Sequence, residues 1–175
     1  HRHEAVRVAP LERAVAGEGH QHPLGVAARS ELQSLLRRHD EAVGASARRV
    51  LAEGLIKLGV IKQSLDEALD PETGELRWWY MHNTGHWLGL DVHDVGVYRP
   101  NGEPRLLEPG MVLTVEPGLY FGAWRPDVDC PERYANIGIR IEDDVLITQD
   151  GPVVLTEDCP KTVEDIERIV GHEAS

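Results

Sequence analysis

At Trp78 the chain changes character, and that change limits what it can fold into. Before it, Leu32, Leu35, Leu36, Val43, Ala47, Val50, Leu51, Leu55 and Leu58 recur at three- and four-residue steps. This spacing predicts a long helix with one buried stripe, opening at a capping box (Ser30 with Gln33) and ending near Gly59. A second capping box, Ser64 with Glu67, predicts a short helix that ends near Asp70-Pro71. Beyond Trp78, short apolar runs are broken by Gly and Pro, the pattern of strands joined by turns. The predicted strands are Trp87 to Leu90, Val112 to Val115, Ile137 to Glu142, Asp144 to Thr148 and Val153 to Leu155, with a hairpin turn at Asp150-Gly151. Thr162 with Asp165 caps a final helix carrying Val163, Ile166, Ile169 and Val170. Helix, antiparallel sheet, then helix reads as an α+β fold.

Composition sets further bounds. At 175 residues and 41% apolar, the chain suits one soluble globular domain. A formal net charge of −12 opposes attraction to nucleic-acid phosphates or anionic lipid, so neither is an expected partner. No apolar run approaches the roughly 18 to 20 residues a spanning helix needs, and no signal-like apolar segment opens the chain. The expected location is cytoplasmic. Cys130 and Cys159 form no CxxC pair and decide nothing. The charge is uneven: the first 50 residues hold 8 Arg, no Lys and 6 acids, and all nine aromatic residues lie at or beyond Trp78. Residues 1–48 therefore read as an atypical, poorly ordered N-terminal segment, and residues 49–175 as the folded domain.

Three clusters carry chemistry. Residues 82–96, HNTGHWLGLDVHDVG, hold His82, His86 and His93 among glycines that let a ligand approach the backbone. A single histidine is commonly structural; three so close point to function. His82 and His86 stand four apart, as in HExxH zinc peptidases, but Asn83 occupies the position of the Glu, and Gly85 and Gly89 oppose a helix. The HExxH reading is rejected. Residues 107–120, LEPGMVLTVEPGLY, frame a strand between two Glu-Pro-Gly turns. There Val112, Thr114 and Glu116 share a face, and Pro117 holds Glu116 extended at the strand end. Glu108 and Glu116 can each be plain solvated turn residues. In residues 138–148, GIRIEDDVLIT, Ile139 and Ile141 join Ile137 on the core side, while Gly138, Arg140 and Glu142 face the other way. That face needs water, a partner or a metal. Together the clusters supply one imidazole and two strand-borne carboxylates, a donor set suited to Mn, Fe, Co or Zn.

These three motifs, in this order, resemble the C-terminal catalytic half of Xaa-Pro aminopeptidases, proline-specific metallopeptidases with a pita-bread fold. The likeness runs from about Val50 to about Val170. That family binds two divalent metals through two Asp, one His and two Glu. By motif position the resemblance implies His86 as the imidazole ligand, Glu116 as the first Glu ligand and Glu142 as the carboxylate bridging both ions. It implies that His82 and His93 contact substrate and stabilise the tetrahedral intermediate, and that Arg140 supports the metal carboxylates. It also implies Mn(II) as cofactor, and attack by metal-activated water on peptides with proline at the second position.

The chain departs from that pattern in one respect that matters. The family's two Asp ligands sit in a segment resembling DAG followed by GDITRT, ahead of the long helix. Here Asp40 is the only Asp before Asp66. The Arg/His/Ala/Gly-rich composition of residues 1–48 resembles a shifted reading frame of GC-rich DNA, so a truncated or frame-shifted product with an incomplete fold is expected. Two ions want roughly ten to twelve donors, more than His86 and two Glu can offer. The expectation is at most one ion, weakly held, and little or no peptidase activity from this chain alone. An unpaired sheet edge and exposed apolar residues predict a homo-oligomer. Two other functions stay open: a metal-free pita-bread module that binds peptides or proteins, against which the retained His86, Glu116 and Glu142 count, and a prolidase acting on Xaa-Pro dipeptides. Asn83, where relatives have Gly, tolerates a left-handed backbone and is not disabling.

Overall fold

The computed structural model describes residues 40–122 and 128–170. The Ser30–Gln33 capping box and the first part of the long helix lie outside the described residues. What is described begins with helix α1, Asp40–Lys57, which buries Val43, Leu51, Ala52 and Leu55. The helix runs unbroken through position 48. It closes where Gly59 turns left-handed (φ 70°), with Val60 N–H reaching back to Leu55 O at 2.9 Å and Gly59 N–H to Ile56 O at 2.9 Å. Only a residue without Cβ takes that backbone at no steric cost. Helix α2, Leu65–Ala68, opens on the predicted capping box: the Ser64 side chain accepts from Glu67 N–H, and the Glu67 carboxylate accepts from Ser64 N–H at 2.9 Å.

Five strands follow: β1 (Val112–Val115), β2 (Gly118–Phe121), β3 (Ile137–Arg140), β4 (Asp143–Thr148) and β5 (Gly151–Val154). β1 pairs with β4 and β4 with β5 in one antiparallel sheet, while β2 pairs with β3 in another. The β4–β5 hairpin turns at the predicted Asp150-Gly151, with Thr148 opposite Gly151. β2 was not foreseen as a separate strand; Pro117 cuts the run it belongs to. The strand expected at Trp87 to Leu90 does not form. Only an isolated bridge, Trp87 to Leu113, is present. After Leu88 the backbone curls on itself, with Gly89 N–H on Asp91 O and Asp94 N–H on Trp87 O, so those groups are withdrawn from any ladder. The last helix, α3 (Val163–Ile169), starts at Thr162, which caps Asp165 N–H as predicted.

Two apolar clusters hold these pieces. Leu51, Leu55, Trp79, Leu119, Phe121 and Tyr134 make the larger, around α1 and β2. Val43, Trp87, Leu107, Leu113, Val145 and Ile147 make the smaller, around β1 and β4. The Glu116-Pro117 break joins the strand that enters one cluster to the strand that enters the other. Helix α3 buries none of its side chains; Ile166, Ile169 and Val170 are exposed, as are Val153 and Leu155. Cys130 and Cys159 are free thiols, and burial pushes that of Cys130 up. Among the described residues no helix is long and apolar enough to cross a membrane.

Candidate metal site

The two sheets are one antiparallel ladder interrupted at a single place. Val115 lies opposite Asp143 in the first sheet, and Gly118 lies opposite Arg140 in the second. Carrying either register through the break sets Glu116 opposite Glu142 and Pro117 opposite Ile141. The Ile141 N–H to Pro117 O bond at 3.3 Å shows the lines still adjacent there. Pro117 has no N–H to give the ladder, so the regular pairing stops where the two carboxylates meet. Like charges directly across a ladder repel. This pair needs a compensating cation.

The third line comes from residues 84–88, which run along the other edge of β1. Leu88 N–H donates to Val112 O (3.1 Å), Thr114 N–H to His86 O (2.9 Å) and Glu116 N–H to Thr84 O (2.6 Å). Gly85 permits the approach: a Cβ there would lie 2.9 Å from the Thr114 carbonyl carbon and closer still to its oxygen. His86 is thereby placed beside Glu116, its Nε2 lying 3.1 Å from Glu116 Oε1. Its Nδ1 is 3.0 Å from Trp87 O, an arrangement that directs Nε2 toward the carboxylates.

His86, Glu116 and Glu142 each offer a ligand atom, and the three atoms lie within 4.8 Å of one another. Glu116 is buried at 8% exposure, against the solvated fate usual for Glu, whereas Glu142 is exposed. One nitrogen and two facing carboxylates fit one divalent ion of the borderline or hard class. Among the described residues no aspartate joins the group.

A polar chain runs alongside. Arg140 Nη1 stands 3.5 Å from Glu116 Oε2, and Arg140 Nε donates to the Tyr120 hydroxyl at 2.7 Å. That hydroxyl is also 3.0 Å from His82 Nε2. The Tyr120 bond raises the Arg140 pKa above its ordinary value, and Glu116 and Glu142 add to the effect, so the guanidinium stays charged. Gly118 leaves room for this junction, since a Cβ would fall 2.7 Å from the Tyr120 hydroxyl and 3.1 Å from His82 Nε2. The His93 ring lies 4.4 Å, centre to centre, from that of His86, edge to face, and is exposed. Glu108 is exposed in its turn. A cavity of about 620 Å³ opens beside the site, with His82, Asn83, Thr84 and His86 on one wall and Arg48 of α1 on another.

His82, His86, Glu116, Arg140 and Glu142 thus gather in one place, with His93 at its rim. Sequence reasoning missed Tyr120, which joins His82 to Arg140, and Thr114, which bonds to both His86 and Glu116. The alternation of Thr114, Glu116, Gly118 and Tyr120 on one side of the chain was the available signal.

Residues 28–149 match metallopeptidase family M24. The chain is 51% identical over 122 residues to the Xaa-Pro aminopeptidase of Escherichia coli (strain K12), a match covering 70% of this chain and 26% of that protein. It superimposes on the structure of Pseudomonas aeruginosa aminopeptidase PepP with a TM-score of 0.68 and 44% identity, covering 80% of this chain and 32% of that one. For the Zn-substituted E. coli aminopeptidase P in complex with product the TM-score is 0.70 at 40% identity, with 94% and 34% covered. The chain spans about a quarter of the length of the curated relatives it matches. Its architecture is part of the pita-bread fold.

Proposed function

Because the chain belongs to metallopeptidase family M24, we propose that it carries the His/Glu/Glu portion of the metal site of an Xaa-Pro aminopeptidase. The observation behind this reading is the convergence of His86, Glu116 and Glu142 within 4.8 Å. These three residues are the metal ligands. A bound divalent ion, Mn(II) in this reading, would supply an activated water and polarise the scissile carbonyl. Arg140 holds Glu116 from the side away from His86 and keeps the pair of carboxylates partly compensated. His82, tied to Arg140 through Tyr120, and His93, exposed beside His86, present imidazoles to a peptide with proline at its second position. Its location is cytoplasmic, with residues 49–175 as the catalytic part, and the exposed Val153, Leu155, Ile166, Ile169 and Val170 support self-association.

The three ligands found among the described residues hold one ion at most, and weakly, so turnover is slow. The test is release of the N-terminal residue from an Xaa-Pro tripeptide with and without Mn(II). The reading predicts a Mn(II)-dependent rate below about 1 s⁻¹, the low end of ordinary turnover numbers, lost in Glu116→Ala. Cleavage that persists in Glu116→Ala, or that is equally fast on a tripeptide lacking proline, would refute it. Faster cleavage of an Xaa-Pro dipeptide than of the tripeptide would make it a prolidase.

A further inference from the structure

We infer that Thr114 is a positioning residue for the metal ligands: its hydroxyl ties His86 to Glu116 and sets both before a cation arrives. This rests on the reading of His86, Glu116 and Glu142 as ligands. Among the described residues, Thr114 is the one whose side chain hydrogen-bonds to two of these three residues. His86 N–H donates to Thr114 Oγ1 at 3.0 Å, and Thr114 Oγ1 in turn donates to Glu116 Oε1 at 2.9 Å.

The direction of these bonds follows from the chemistry. A backbone N–H can only donate, so the hydroxyl receives it on a lone pair, and its single proton is left for the carboxylate. Glu116 Oε1 is then the acceptor of that proton. A third link, Thr114 N–H to His86 O at 2.9 Å, makes the coupling rigid on the His86 side. Thr114 is 1% exposed, so neither bond competes with water. Glu116 Oε1 also lies 3.1 Å from His86 Nε2, so the oxygen that Thr114 holds is the one nearest the imidazole. Arg140 reaches the other oxygen at 3.5 Å. Thr114 and His86 on one oxygen and Arg140 on the other fix the plane of the carboxylate.

The hydroxyl, not the bulk of residue 114, is the working part, so three variants separate the roles. Thr114→Val keeps shape without the hydroxyl. Thr114→Ser and Thr114→Ala both lose the methyl and differ from each other only by the hydroxyl. Each is titrated with Co(II), reading affinity from the visible absorption of the bound ion, and its metal-free melting temperature is measured alongside. The inference predicts a Co(II) Kd raised roughly 10- to 100-fold in Val and Ala, the range for lost outer contacts to metal ligands, and a Ser value within about threefold of the parent chain. Equal affinity in Val and the parent, with only the melting temperature lowered, overturns it. Should Val fail to fold, the Ser and Ala pair decides by the same criterion: equal affinities overturn the inference, a tenfold gap upholds it. If the parent chain itself binds no Co(II), the ligand reading fails first and this inference falls with it.

Discussion

Gly85→Ala tests the geometry on which the site depends. The methyl would sit 2.9 Å from the Thr114 carbonyl carbon, inside van der Waals contact, and closer still to the oxygen. Gly85 is not among the glycines with positive φ, so the conflict is steric and not conformational. The obstacle is backbone of β1, which is paired with β4 and cannot turn aside as a side chain would. The segment carrying His86 must therefore move away. Three bonds tie that segment to β1 at this point: Thr114 N–H to His86 O, Glu116 N–H to Thr84 O and His86 N–H to Thr114 Oγ1. At about 0.5–1.5 kcal/mol each, with overpacking strain of about 1–3 kcal/mol, the substitution costs between about 2.5 and 7.5 kcal/mol if all three are lost. That is a large share of the roughly 5–15 kcal/mol available to a domain. Urea unfolding followed by tryptophan fluorescence measures it, and Co(II) affinity should fall in the same variant because His86 shifts. A variant within about 0.5 kcal/mol of the parent, binding Co(II) equally well, would refute the argument that close approach at Gly85 builds the site.

Three further outcomes follow from the packing and the titrating groups. Phe121→Ala, at a side chain fully buried against Trp79 and Tyr134, should cost about 3–5 kcal/mol in urea unfolding; a loss under 1 kcal/mol would contradict the core assignment. Lys161→Met removes the ammonium that holds Asp143 at 2.9 Å and also bonds Thr156 O and Cys159 O. With both side chains largely buried this should cost about 3 kcal/mol and free the segment before α3, checked by proteolysis of residues 156–162. Burial raises the Tyr80 pKa, with the Thr84 hydroxyl bond opposing the shift. The unfolded chain then loses this proton first, so stability is full below about pH 10 and falls as pH rises through the higher folded value. In Tyr80→Phe the alkaline fall should be shallower; identical slopes would exclude Tyr80 as its source.

Local chemistry was legible in the sequence, and long-range pairing was not. The helix starts at Ser64 and Thr162 were readable because each cap is one side chain answering a backbone group three residues away. β1 was readable because Glu-Pro-Gly turns bound it on both sides. The alternation that sent Arg140 and Glu142 to one face held in part: both are exposed and Ile139 packs on the larger cluster, whereas Ile137 and Ile141, expected in the core as well, are half-buried and belong to neither cluster. The facing of Glu116 and Glu142 depends instead on a register between segments some 25 residues apart, which alternation on either strand leaves undetermined. The Trp87 to Leu90 strand was misread for a related reason. Its apolar residues suit a strand, but Asp94 N–H takes Trp87 O and Gly89 N–H takes Asp91 O, and the pairing with β1 begins earlier, at Thr84. Tyr120 was overlooked because its hydroxyl acts through His82 and Arg140, both remote in sequence.

Calorimetric titration of the parent chain with Mn(II) addresses the central claim most directly. One weak site per chain, absent in Glu116→Ala, is the predicted result. Two tight sites, or a single site untouched by Glu116→Ala, would contradict it.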